Sequence, residues 1–392
     1  MNMKYDVIIS GGGLLGMITA IGLNKNNISV AVIEKNIVPR ILSDDNRALA
    51  ISQGSKKILD QLGIWHFLAH AAEPILDISI SDENNPFTLH YHHKIVSEEP
   101  MGYVINNLAI WNAINHCLLN TIQLYSPNSY KSIQYADGYV EVILDNHSKL
   151  ISSLMICAEG KNSKLQTLYD IPSMQFIYKQ SSIVFTVNHI LHHENIAIEH
   201  FLSGGPFAML PMKGGYSSSI VWTEKSEIAD MLMELSEELF ILELKKRFDP
   251  CVGTLSLDGE RQLYPLSFSF AKKLYHGRIL LIGDAAHSIH PLAGQGLNLG
   301  IRDIESLLYR ISDAKVYGID IGSEYLLDQI SRDRLCDNMI MALFTDGINR
   351  VFSNSTLCAR VLRTFGLIAV ENSEFLKKIF IQYGMGIRSI PT

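Results

Sequence analysis

Val7-Ile8-Ile9-Ser10-Gly11-Gly12-Gly13-Leu14-Leu15-Gly16 decides the fold. A β-rich run meets three glycines, and an apolar helical pattern (Met17, Ile18, Ala20, Ile21, Leu23) follows at once. The glycines fit G-x-G-x-x-G, and each has its own task. Gly11 permits the tight turn, Gly13 lets the backbone approach a pyrophosphate, and Gly16 lets helix and strand pack closely. The helix start, at Leu14 and Leu15, offers unpaired N–H groups and the positive end of its dipole to phosphates. A second β-branched run, 29–33, ends at Glu34 and is followed by Lys35. The Glu34 carboxylate suits the two hydroxyl protons of an adenosine ribose. Strand, turn, helix, strand and an acid about 20 residues on make a βαβ dinucleotide-binding unit. This motif alone does not separate NAD from FAD.

Outward from that unit, 40–70 reads as loop and then helix, and 75–105 as short alternating strands. Residues 108–119 read as a helix. Strands over 139–144 and 150–158 feed a turn at Glu159-Gly160. From 173 to 270 the alternation predicts a mainly antiparallel sheet with one helix at 230–248. Strand 278–282 restarts the first pattern, and 320–392 reads as helical.

The strand at 278–282 opens into Gly283-Asp284-Ala285-Ala286-His287, with Pro291 and Gly294-Gln295-Gly296-Leu297-Asn298 just after. A carboxylate at a strand end suits a polyol chain such as ribityl. A glycine-dense turn opening a helix sets bare N–H donors beside an electron-rich ring, where they stabilise negative charge on a reduced flavin. This second motif turns the reading from NAD to FAD.

Taken together, GGGLLG and GDAAHSIHPLAGQGLNLGIRD resemble the class A FAD-dependent monooxygenases, and more closely their ubiquinone-biosynthesis hydroxylase branch. Asp45-Asn46-Arg47-Ala48-Leu49-Ala50-Ile51-Ser52, Leu62-Gly63-Ile64-Trp65, Leu210-Pro211, Ile220-Val221-Trp222-Thr223, Tyr264-Pro265-Leu266 and the tail from Phe365 to Gly386 extend the likeness along nearly the whole chain. The fold implied is α/β: a FAD-binding Rossmann-like domain of GR2 type, an inserted mainly antiparallel β-sheet substrate domain, and a helical C-terminal region. Residues 1–75, 106–172 and 271–345 are expected to form the FAD-binding domain. Residues 76–105 and 173–270 are expected in the substrate domain, and 346–392 in the helical region.

The activity implied is hydroxylation of the aromatic ring of a prenylated phenolic ubiquinone precursor by O2, through a flavin C4a-hydroperoxide, with NAD(P)H as reductant. The cofactor carries that chemistry, so no metal is expected. Flavin contacts are expected from Gly11, Gly13, Leu15, Gly16, Glu34, Lys35, Glu159, Gly160, Gly283, Asp284, Pro291, Gly294, Gly296, Leu297 and Asn298. Arg47 matches the family arginine near flavin and pyrophosphate, where a fixed fork of donors suits phosphate or the ring edge. Arg47, Gly294, Gln295 and Gly296 are the candidate catalytic positions.

One stretch departs from the family. Its D-G-x-x-S-x-x-R motif here reads Glu159-Gly160-Lys161-Asn162-Ser163-Lys164-Leu165-Gln166. Glu keeps the charge on a longer arm, and Gln166 removes a cation. Either the donor is not NAD(P)H, or Lys161 or Lys164 supplies the charge. Two other functions stay open: a flavin hydroxylase of another aromatic substrate, and a flavin-bound, non-catalytic scaffold of a quinone-biosynthesis complex. Phe185, Phe201, Phe207, Met209 and Trp222 suit a substrate pocket or a sheet core equally.

Composition sets the outer bounds. Of 392 residues, 47% are apolar and 19% charged, which excludes global disorder. Lys+Arg number 33 against Asp+Glu 40, a net charge of −7 that argues against a nucleic-acid partner. Five scattered cysteines without a CxxC pair argue against a disulfide framework and fit a reducing cytosol. The chain runs into strand at Tyr5, leaving no room for a signal peptide, and no stretch reaches the ~18 apolar residues of a membrane span. A cytoplasmic enzyme is expected, with peripheral contact at the inner membrane as the sharper option. The amphipathic tail 375–383 reads as a helix packed on the FAD-binding domain, or as a surface meeting a membrane or partner. The histidines at 90, 92, 93, 189, 192 and 193 read as solvated, Cys157 as core, and Asp303 as a helix-start residue or a partner of Arg302.

Overall fold

Val7, Ile8 and Ile9 and all of Val30–Ile33 are buried without alternation, as strands covered on both faces must be. They lie in the middle of an eight-stranded sheet in a computed structural model that describes residues 2–37, 47–83, 85–118, 121–247, 252–353 and 357–387. The parallel order is Ile279–Leu281, Lys149–Cys157, Asn2–Ser10, Val30–Ile33, Gln123–Tyr125. Tyr275–His276 closes one edge, and the antiparallel pair Tyr130–Ala136 and Tyr139–Leu144 adds to the first half of Lys149–Cys157. The helices Leu14–Lys25 and Gln295–Val316 pack on this sheet, and Ile18, Ile21, Ile301, Ile304 and Leu307 join its core.

A second eight-stranded sheet runs His287–Ser288, Leu255–Ala271, Ser173–His189, Ser217–Lys225, Pro206–Pro211, Ile196–Phe201, Asp77–Asp82, Asn85–His92. Only the pair Ile196–Phe201 and Asp77–Asp82 is parallel. On one face Phe185, Phe207, Met209 and Trp222 pack with Phe240 and Leu244. The single helix expected at 230–248 is two helices, Ser226–Glu234 and Glu237–Arg247. Ser236 explains the break: its hydroxyl accepts from the Leu239 N–H at 3.4 Å, while Arg261 donates to the Leu235 carbonyl at 2.7 Å. One side chain serves the new helix start and the other the old helix end. Residue 248 lies outside the described set.

Ala48–Ser52, Gly102–Asn106 and Glu73–Ile75 form a third, three-stranded antiparallel sheet. Three helices follow, Glu324–Phe352, Leu357–Glu371 and Glu374–Gly384. The last is held by the Gly54 N–H, which donates to the Met385 carbonyl at 2.7 Å. Among the described residues no helix is long and apolar enough to cross a membrane.

Three histidines differ from the solvated reading. His93, His189 and His193 are buried, because each ring finds a backbone carbonyl: Leu76 at 3.0 Å, Leu191 at 2.8 Å and Met212 at 2.8 Å. Among the described residues no group of three or more His, Cys, Asp or Glu could hold a metal.

Candidate active site

The first glycine turn is built by close approach. Gly11 has φ +106°, and a Cβ there would stand 2.3 Å from the Ala158 carbonyl oxygen. A Cβ on Gly16 would stand 1.9 Å from the Gly11 oxygen. Gly13 differs: its φ is −72° and no atom lies within 4 Å of a Cβ. The space beside it is open. The helix that starts at Leu14 has no side-chain cap, so its first N–H groups face that space unserved by the protein. Glu34 is buried beneath the turn, accepting from the Gly12 N–H at 2.7 Å and the Asn36 N–H at 3.0 Å. Lys35 is exposed.

The second turn docks on the first through Leu15. A Cβ on Gly283 would stand 2.2 Å from Leu15 Cδ1, and one on Gly300 2.3 Å from the same atom. Both glycines make room for a side chain of the opposite motif, so the two turns form one site. Asp284 is solvent-accessible, yet surrounding protein desolvates its carboxyl and raises its pKa, against the pull of His287 and Lys161. An accessible but desolvated acid marks the wall of a deep crevice. A Cβ on Gly296 would have Asp284 as its nearest neighbour, at 4.0 Å.

Pro291 leads into the short turn Leu292–Gly294, where Gly294 has φ +61° and begins the helix Gln295–Val316, again with no side-chain cap. Asn298 fastens this turn to the neighbouring strand. Its amide donates to the Ala50 and Gly294 carbonyls, both at 2.9 Å, and its oxygen accepts from the Ser52 N–H at 2.8 Å. Gln295 donates to the Gly384 carbonyl at 3.5 Å, and Leu297 packs on the large core. Arg47 precedes the strand Ala48–Ser52 and holds its guanidinium 5.3 Å over the Tyr264 ring. Its companions Asp45 and Asn46 lie outside the described residues.

Glu159 turns inward. It accepts from the Ser10 hydroxyl at 2.5 Å, the Ser163 hydroxyl at 3.1 Å and the Leu165 N–H at 3.2 Å, tying the first strand to the helix Lys164–Leu168. Gly160 makes the turn with φ +75°. Gln166 is buried, whereas Lys164 is exposed. Lys161 donates to the Pro265 carbonyl at 3.2 Å, and its charge reaches Asp284. Burial first, then the Glu159 charge, pushes the Cys157 thiol up to about 12 and keeps it inert.

Asp303 does more than the sequence suggests. It accepts from the Gly283 N–H at 3.0 Å, His287 at 2.6 Å and Arg334 at 2.8 Å, and all three side chains are buried. Burial alone would raise its pKa, but His287 and Arg334 reverse the shift and hold it well below the usual carboxylate range. Arg302 pairs with Asp337 instead, at 3.1 Å. Among the described residues His290 is buried with no hydrogen-bond partner on either nitrogen, and burial drops its pKa to about 4.

A cavity of about 460 Å³ opens beside the second turn. Leu292, Gln295 and Asn298 form its wall on that side. Ile78, Ile80, Leu89 and Phe201 come from the second sheet, and Phe344, Leu367 and Ile381 from the three C-terminal helices. Of the five apolar residues weighed for a pocket, only Phe201 lines it. The other four point to the opposite face of the sheet, because strand side chains alternate. The tail helix walls this cavity, and its C-terminal end packs against Ala48 and Gly54 of the segment expected in the FAD-binding domain.

Two uncapped helix starts, an open Gly13 and an accessible desolvated Asp284 fit an extended dinucleotide cofactor, and the fold is that of a flavoprotein. Residues 4–336 match the model of the FAD binding domain. The chain is 36% identical to a ubiquinone hydroxylase, UbiL, of Rhodospirillum rubrum over 97% of this chain and 89% of that one. It is 30% identical to the mitochondrial ubiquinone biosynthesis monooxygenase COQ6 of Danio rerio, over 96% and 89%. Among solved structures, a p-nitrophenol 4-monooxygenase of Pseudomonas putida superposes with TM-score 0.81 over the whole of both chains, at 18% identity. The chain therefore belongs to the FAD-binding-domain family of flavoprotein monooxygenases, in its ubiquinone-hydroxylase branch.

Proposed function

We propose that the protein hydroxylates the aromatic ring of a prenylated phenolic precursor of ubiquinone, using FAD, O2 and NAD(P)H. The observation that carries this reading is the apolar cavity meeting the second glycine turn. A prenyl chain needs such a cavity, and ring chemistry needs the turn at its end. The names of the related ubiquinone hydroxylases support the same substrate class.

FAD, when bound, supplies oxygen activation and transfer. The chain's own residues bind and orient. Backbone N–H groups at Gly13 and Leu14 would hold the pyrophosphate, Glu34 the ribose and Asp284 the ribityl chain. The uncapped start at Gln295 and Gly296 would offer its backbone donors to the flavin ring and stabilise negative charge there. Leu292 and the C-terminal helices keep water from the reacting ring. Lys161 provides the cation that Gln166 lacks, on the side where the reductant approaches.

Loss of the gene tests this reading through mass spectrometry of quinone intermediates. A prenylphenol lacking one hydroxyl should accumulate. An unchanged quinone pool would overturn the proposal.

A further inference from the structure

Glu199 stands where alternation in Ile196–Phe201 puts a side chain on the cavity face, together with Phe201. Its cross-strand neighbours are Ala208 and Ile80, and Leu89 pairs with Ile80 one strand further on. All are apolar, and Ile80 and Leu89 also line the cavity. Protein surrounds Glu199, yet its side chain opens on this space and makes neither a hydrogen bond nor an ion pair among the described residues. Desolvation alone raises its pKa, to about 7. The other charged group of the wall, Arg363, is engaged elsewhere: it meets Asp82 at 3.1 Å and donates to the Phe352 carbonyl at 2.8 Å.

An unpartnered carboxyl among aliphatic side chains weakens the fold unless a ligand donor meets it. We propose that Glu199 accepts a hydrogen bond from the phenolic hydroxyl of the substrate and so fixes the ring within the cavity. The assignment rests on the substrate reading above. The remaining apolar wall then takes the prenyl chain. An aryl ether of the same size cannot donate, so the site selects free phenols.

The test uses FAD-loaded enzyme and two probes, a short-chain prenylated phenol and its O-methyl ether, with binding read from the flavin absorbance change. At about pH 8.5, where the Glu199 carboxyl is ionised, wild-type enzyme should prefer the phenol roughly 10- to 100-fold, the strength of a hydrogen bond to a charged acceptor. Glu199→Leu should lose that preference, with FAD content and ether affinity unchanged. Glu199→Gln, of similar volume and still an acceptor, should keep part of it. It also serves if the leucine variant fails to fold. Variants that discriminate as wild type does, or a wild type that takes both probes alike, would overturn the assignment alone. A wild type that takes neither probe overturns the substrate reading and the assignment with it.

Discussion

Gly11 and Gly16 are glycine because backbone oxygens stand where a Cβ would go, whereas Gly13 is glycine although nothing in the protein crowds it. That contrast was legible in the spacing of G-x-G-x-x-G. Glu199 was not, because one glutamate in an alternating strand reads as a solvent-facing residue. The two strands that cover it lie more than a hundred residues earlier in the chain. Lys161 was legible only as one of two candidate cations. Of the two, Lys161 is the one whose charge acts on Asp284, which favours it in the reading proposed above. Replacing Lys161 with alanine should slow anaerobic bleaching of the flavin by low NADPH about tenfold, the value of one charge-assisted contact, with FAD content unchanged. Stopped-flow absorbance measures it, and an unaltered rate would remove Lys161 from that role.

At the scale of elements, the helices Leu14–Lys25 and Gln295–Val316 begin without side-chain caps, as do Trp65–Leu68, Ser226–Glu234 and Glu324–Phe352. What sets the first two apart is that their free N–H groups stand at two glycine turns that meet through Leu15, where they remain for a ligand. The sequence showed both turns but not what joins them. Leu15 lies between Gly283 and Gly300, and Asp303 ties the Gly283 turn to Arg334 on the helix Glu324–Phe352. Such pairings span tens to hundreds of residues and leave no periodic trace. Asp303→Ala would remove the acceptor of the buried His287 and one of two carboxylates facing the buried Arg334, which keeps Asp337 at 2.7 Å. Unfolding free energy should fall by about 1–3 kcal/mol in urea titrations, and an unchanged value would contradict the role given to this tie. The break at Ser236 was missed for a related reason: the apolar pattern runs through it, and only Arg261 from another strand reveals the freed carbonyls.

At the scale of the whole molecule, the parallel sheet carries one core and the antiparallel sheet another. The C-terminal helices enclose a cavity on the face that the second core leaves uncovered. The parallel half was readable from its uninterrupted β-branched runs. The cavity was not, because its walls come from strands near residue 80, strands near residue 200 and helices beyond residue 340. The claim on which the rest depends is that both glycine turns grip one FAD. FAD content per chain in Gly13→Ala and Asp284→Ala, each compared with wild type, tests it most directly. Gly13 has room and an ordinary φ, so its variant should fold normally. Wild type should hold about one FAD per chain, and both variants should lose it while keeping their secondary structure. Full FAD retention by either variant would contradict the shared grip.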